Sequence, residues 1–179
     1  MSLFFATLLP GLFLVVLGLP LLMGNSGAAA ALQSFPRSTS AAGLFFGGAA
    51  AWFLYNVWHL SAADFGDYHV ILFLAFGAIA VLAFKCVPDF LAVRGVCILV
   101  LLSAAPLLEA AYTEYAYPQR RFMVGLVYAA VALALWNGAQ PWRFRDFLSW
   151  LFARPTRSRG LGGLLAAYGL LLCALAFTY

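Results

Sequence analysis

The chain has 179 residues, of which 65% are hydrophobic and 9% charged, with a mean hydropathy of +0.97. Soluble globular domains carry about 25% charged residues, so the composition excludes that class and predicts an integral membrane protein. The formal charge of +4 does not argue for a nucleic-acid partner, because the Lys and Arg residues are spread over short segments flanking apolar runs, where membrane insertion requires them.

Six apolar runs, at 3–23, 41–60, 70–87, 95–112, 122–137 and 161–179, each approach the ~20 residues with which a helix crosses ~30 Å of hydrocarbon. They predict an all-α, polytopic membrane protein with six transmembrane helices in a single transmembrane domain. The first run contains Pro10 and Pro20, each of which removes a backbone donor and favours a kink. No Lys or Arg precedes it, so the basic leader of a signal peptide is missing and the run reads as a helix of the mature protein. The small, polar segment that follows, with Arg37 as its one charge, reads as a loop holding a short helical piece at 28–35.

The second run opens on Gly43, Gly47 and Gly48, a spacing that lets another helix approach closely. Near its far end Trp52, Tyr55, Asn56 and His59 recur at i, i+3, i+4 and i+7, which places them on one helix face. An aromatic belt at headgroup depth accounts for that face; a polar lining leading into the next loop is the sharper alternative. The loop SAADFGDYH then adds Asp64, Asp67 and His69. With His59 these form H-x4-D-x2-D-x-H, a set of oxygen and nitrogen donors suited to a divalent cation or a proton relay. The spacing matches no established metal site, however, and acidic residues in a short loop are ordinarily solvated. Asp64 and Asp67 also have the D-x-x-D spacing of diphosphate-binding motifs, but a second acidic motif is missing.

Lys85 near the end of the third run is placed to snorkel to the interface. In the fourth run, counting from Gly95 puts Glu109 about 21 Å along the helix, inside the hydrocarbon or at its edge, so that it reads either as the candidate intramembrane ionisable group or as a carboxylate that reaches water. The turn TEYAYPQRR carries aromatic anchors, and the fifth run is nearly featureless. The segment between the fifth and sixth runs, PWRFRDFLSWLFARPTRSRG, holds half of the basic residues. There Phe144, Phe147, Leu148 and Leu151 share one helical face while Arg143, Asp146 and Ser149 occupy others. This predicts an amphipathic interfacial helix at 142–153, stopped by Pro155.

With six spans, the loops at 24–40, 88–94 and 138–160 lie on one side and, with Lys85, carry Arg37, Arg94, Arg143, Arg145, Arg154, Arg157 and Arg159. The opposite side has only Arg120 and Arg121. By the positive-inside rule the first side is cytoplasmic, so both termini lie outside the cytoplasm, as in a bacterial-type inner membrane. Pro36 and Gly43, Pro88 and Gly95, and Pro155 and Gly162 share a seven-residue spacing, which suggests a thrice-repeated parallel hairpin.

Cys86, Cys97 and Cys173 form no C-x-x-C and read as buried small apolar residues. The sequence has no phosphate-binding loop, zinc-protease helix, nucleophile elbow or mid-span histidine pair, so neither a catalytic reaction nor a cofactor is expected. The expected function is that of a non-enzymatic accessory or scaffold subunit, with the lipid bilayer and other membrane proteins or a second copy as partners. The alternative is a cation- or proton-coupled carrier or channel using Asn56, His59, Asp64, Asp67, His69 and Glu109, and a membrane enzyme ranks third.

Overall fold

A computed structural model describes residues 1–179, the side chain of Ala62 excepted. Among the described residues the regular structure is entirely helical. The helices are α1 (Leu3–Leu22), α2 (Ser26–Ser34), α3 (Thr39–Ala41), α4 (Gly47–Trp58), α5 (His69–Cys86), α6 (Leu91–Ala111), α7 (Arg120–Ala139), α8 (Trp142–Phe152) and α9 (Pro155–Ala176). Five stretches are long and apolar enough to cross a membrane: Leu3–Leu22, Gly66–Cys86, Leu91–Ala111, Arg120–Ala139 and Pro155–Ala176.

The run at 41–60 differs from the other five. It is helical, but α3 passes through a π-helical stretch, Ala42–Phe46, before α4 begins. The 12 residues of α4 are too few to cross by themselves. The π stretch coincides with a backbone contact from α6. A Cβ built on Gly95 would lie 2.6 Å from the carbonyl carbon of Phe45 and clash with the Phe46 backbone. Short π turns of this kind mark local departures from the i→i−4 ladder.

The prolines lie within continuous helices. α1 continues unbroken through Pro10 and Pro20, and α6 through Pro106. Each proline removes one donor, and neighbouring backbone bonds carry the helix past it. The helical piece expected at 28–35 is α2, started by Asn25, whose Oδ1 accepts from the amides of Gly27 at 2.9 Å and Ala28 at 3.2 Å.

The residues group into two compact units. The first comprises Met1–Gln33, Ser103–Leu133 and Arg145–Tyr179, and its centre is an antiparallel seam between α1 and α9. A Cβ on Gly11 would stand 2.9 Å from the carbonyl oxygen of Gly169, and one on Gly18 would stand 2.7 Å from that of Gly162 and 2.6 Å from the Ala166 nitrogen. Backbone therefore meets backbone, at distances that leave no room for a side chain. The seven-residue interval within each helix keeps both glycines on the facing stripe. Beside the seam, Leu3, Ala6, Ala104, Ala111, Met123, Val127 and Leu172 form a buried cluster. The Tyr168 hydroxyl also donates to the Phe122 carbonyl at 2.9 Å, tying α9 to α7.

The second unit comprises Ser34–Leu102 and Ala134–Phe144. It has two small buried clusters, Ala42 with Leu91 and Ala92, and Val93 with Cys97 and Ala134. α5 rests on the preceding helical run through edge-on ring pairs, Phe53 with Phe76 at 5.1 Å, Trp58 with Phe73 at 5.4 Å and Phe46 with Phe84 at 5.4 Å. None of the residues of α5 is buried.

The close approach expected at Gly43, Gly47 and Gly48 is not found, since a Cβ at any of them would meet nothing within 4 Å. Small residues permit a close contact without demanding one, and in this fold the contacts are taken by Gly11, Gly18, Gly95, Gly162 and Gly169. In the proline–glycine pairs, Gly95 and Gly162 thus lie at backbone contacts and Gly43 does not. The cysteines differ as well, since Cys97 is buried but Cys86 is exposed.

Candidate functional site

The face formed by Trp52, Tyr55, Asn56 and His59 lies on the last two turns of α4 and its C-terminal end. Tyr55, Asn56 and His59 are exposed, and Val57 on the opposite side is buried. His59 Nδ1 lies 2.8 Å from the Tyr55 carbonyl oxygen. Because a carbonyl can only accept, Nδ1 is the donor of this bond. His69 repeats this at the start of α5, with Nδ1 2.5 Å from the Gly66 carbonyl and its ring edge-on to Trp58 at 5.1 Å.

The loop between them is held by local geometry. Phe65 takes the left-handed conformation at φ 63°, which side chains other than glycine adopt at a cost. The Ser61 backbone carbonyl accepts from Asp64 at 2.9 Å and Gly66 at 2.8 Å. The Ser61 hydroxyl donates to Asp64 Oδ2 at 2.9 Å. Asp64 and Asp67 are both exposed. Thus His59, Asp64 and His69 are each engaged within their own turn. Among the described residues, no group of three or more His, Cys, Asp or Glu side chains could hold a metal ion.

Glu109 lies at the edge position that the sequence left open. α6 starts at Leu91, four residues before the expected boundary, so Glu109 stands about 27 Å along the helix and within its last turn. Its side chain is exposed, and it belongs to the first unit, whereas Asn56, His59, Asp64, Asp67 and His69 belong to the second. The end of α6 is instead closed by Arg120, whose guanidinium donates to the Ala111 carbonyl and stacks 4.7 Å over the Tyr115 ring. A cation at a helix C-terminus is favourable because the unpaired carbonyls there carry partial negative charge.

α8 matches the expected amphipathic helix, with Leu148 and Leu151 buried and Trp142, Phe147 and Trp150 exposed. Phe147, which shares the apolar face in the sequence, is exposed and stacks on Trp150 at 6.1 Å. Two arginines lie over indole rings, Arg143 over Trp136 at 4.9 Å and Arg157 over Trp150 at 4.4 Å. Arg157 also donates to the Trp150 carbonyl at 2.9 Å. Basic groups paired with indoles suit headgroup depth, where one end of each side chain is apolar and the other wet.

Two further features appear only in the folded chain. Glycine at a seven-residue interval in both the first and last runs was the available signal for the α1–α9 seam. Arg94 was read only as a loop charge, yet its Nε and Gln140 Oε1 are buried without a hydrogen-bond partner; nothing in their spacing announces that. No family model matches the chain, and neither the curated proteins nor the solved structures compared with it give a match.

Proposed function

We propose that the chain is a six-span integral membrane protein that serves as a non-enzymatic accessory or scaffold subunit of a membrane assembly. In this reading the helical run from α3 through α4 supplies the sixth crossing, its 20 residues from Thr39 to Trp58 being enough when taken across the π stretch. The basic bias orients both termini away from the cytoplasm. The observation that carries the scaffold reading is α5, which buries none of its residues and exposes Ile71, Leu74, Ile79, Val81 and Leu82 by 54% or more. A helix so lightly held by its own chain has its surface available for a neighbouring protein. The local engagement of His59, Asp64 and His69 favours this over a carrier, whose polar groups would need to converge on a translocated ion.

Two measurements test the proposal. For orientation, single cysteines at Ser61 and Arg154, both exposed, are introduced into a background lacking the native three. An impermeant maleimide added to intact cells is expected to label position 61 and to spare position 154 until the membrane is opened. Labelling of both from one side overturns the topology. For the assembly, a photo-reactive residue at Ile79 in α5 is compared with one at Val16 in α1, which are similarly exposed at 60% and 61%. In native membranes, Ile79 is expected to yield a discrete protein adduct and Val16 mainly lipid adducts. Lipid adducts alone at Ile79 would leave α5 an ordinary lipid-facing helix and remove the support for a scaffold.

A further inference from the structure

The first unit contains a crevice of about 320 Å³ between the α1–α2 turn and the start of α9. Pro20, Leu21 and Phe152 supply apolar wall, and Asn25, Gln33 and Arg159 supply its exposed polar groups. None of the lining residues is Asp or Glu. The sole ion pair among the described residues is that of Arg145 with Asp146, so the Arg159 guanidinium has no carboxylate partner among them. It faces bare backbone: Gly24 turns at φ 67°, and a Cβ there would stand 3.4 Å from Arg159 Nε and Nη2.

The donor inventory is one-sided. Arg159 offers up to five N–H groups and no acceptor. Asn25 has its Oδ1 occupied by the amides of Gly27 and Ala28, so what this lining side chain adds to the crevice is the donor NH2 group. Ser158, buried in the wall, gives its hydroxyl hydrogen to the Pro155 carbonyl at 3.0 Å, so its oxygen does not add a free donor. The first turn of α9 has neither an acidic residue nor a side-chain cap, and its partial positive charge adds to that of Arg159. A cation would be repelled from this set, and a neutral solute would leave the guanidinium's charge unused. A tetrahedral oxyanion matches it, because arginine pairs two parallel N–H groups with two phosphate oxygens.

We propose that this crevice binds a phosphate-bearing anion, with Arg159 as the principal contact and the amide groups of Asn25 and Gln33 as secondary donors. The apolar wall of Pro20, Leu21 and Phe152 offers nothing to a bare phosphate and suits the hydrocarbon next to the phosphate of a phospholipid. This inference rests on the crevice itself and not on the scaffold reading.

The test uses the full-length protein in detergent micelles and in zwitterionic nanodiscs, with two probes. One is phosphatidylglycerol titrated into the micelle or nanodisc and read by native mass spectrometry. The other is inorganic phosphate at constant ionic strength, read by thermal shift. Arg159→Gln is expected to weaken binding by roughly tenfold or more, the equivalent of one charge-assisted contact. Arg145→Gln removes the same charge from the paired position on α8 and is expected to change binding less than twofold. Arg159-dependent binding of phosphatidylglycerol alone identifies the source as a lipid headgroup. Arg159-dependent binding of inorganic phosphate identifies it as a free phosphate. Equal weakening by both substitutions shows diffuse attraction to positive charge and overturns the site, as does the absence of any Arg159-dependent binding to either probe. Circular dichroism of both variants confirms that a loss of binding is not a loss of fold.

Discussion

Gly18→Ala in α1 is expected to destabilise the protein, whereas Gly48→Ala in α4 is expected to stabilise it. The opposite signs follow from one added methyl group in two surroundings. In an open helix interior, alanine is favoured over glycine by up to about 1 kcal/mol, because glycine loses more backbone freedom on folding. Gly48 has nothing within 4 Å of its Cβ position, so it should realise part of that gain. At Gly18 the methyl would arrive 2.6 Å from the Ala166 nitrogen and 2.7 Å from the Gly162 oxygen, both backbone atoms that cannot rotate aside. The two helices must separate, and overpacking of this kind costs about 1–3 kcal/mol. Gly162→Ala should behave like Gly18→Ala, since it meets the same contact from the other helix. Thermal unfolding in a mild detergent, followed by circular dichroism, reads the difference. Equal midpoints for Gly18→Ala and Gly48→Ala would dissolve the seam.

A second large effect is expected at α8. Leu151 is 2% exposed and Phe147 is 43% exposed on the same helix. Replacing Leu151 by Asp forfeits its packing, about 2–5 kcal/mol for truncation of a buried leucine, and places a carboxylate where it has no partner. Phe147→Asp removes a surface stack with Trp150 and should cost far less. Limited proteolysis is the appropriate readout, with protease added to the side that carries α8. Leu151→Asp should release cleavage within Trp142–Phe152, and Phe147→Asp should leave the segment largely protected. Equal cleavage in the two variants would mean that α8 has no buried side of the kind its leucines define.

Much of the fold was legible in the sequence because apolar length alone decides where a membrane-scale helix lies. The ends of α1, α7 and α9 fall within a few residues of the apolar runs that announce them, apart from the six residues by which α9 starts early at Pro155. What could not be read was which small residues would be used. Gly43, Gly47 and Gly48 form the denser cluster, yet Gly11, Gly18, Gly162 and Gly169 make the contacts. The choice depends on which runs become neighbours, and that is a property of the assembled chain. The interruption at Ala42–Phe46 was hidden for the same reason, since its counterpart, Gly95, lies about fifty residues away in the sequence. The polar residues were found by type, but spacing said nothing of partners. The short reach of Ser61 to Asp64 and of His59 to Tyr55 resolved into local turns what the sequence left open as a ligand set.

The α1–α9 seam also has a consequence for the order in which the molecule can be completed. Gly18 and Gly162 stand about 140 residues apart, and ribosomes add roughly 5–20 residues per second. On the order of ten seconds therefore separates the synthesis of the two halves of the seam, and during that interval the glycine stripe of α1 has no α9 to meet. The final closure is a long-range event, entropically costly and slow. Truncation anywhere before Gly162 would leave the chain permanently in that open state, with the backbone of Gly18 lacking its counterpart.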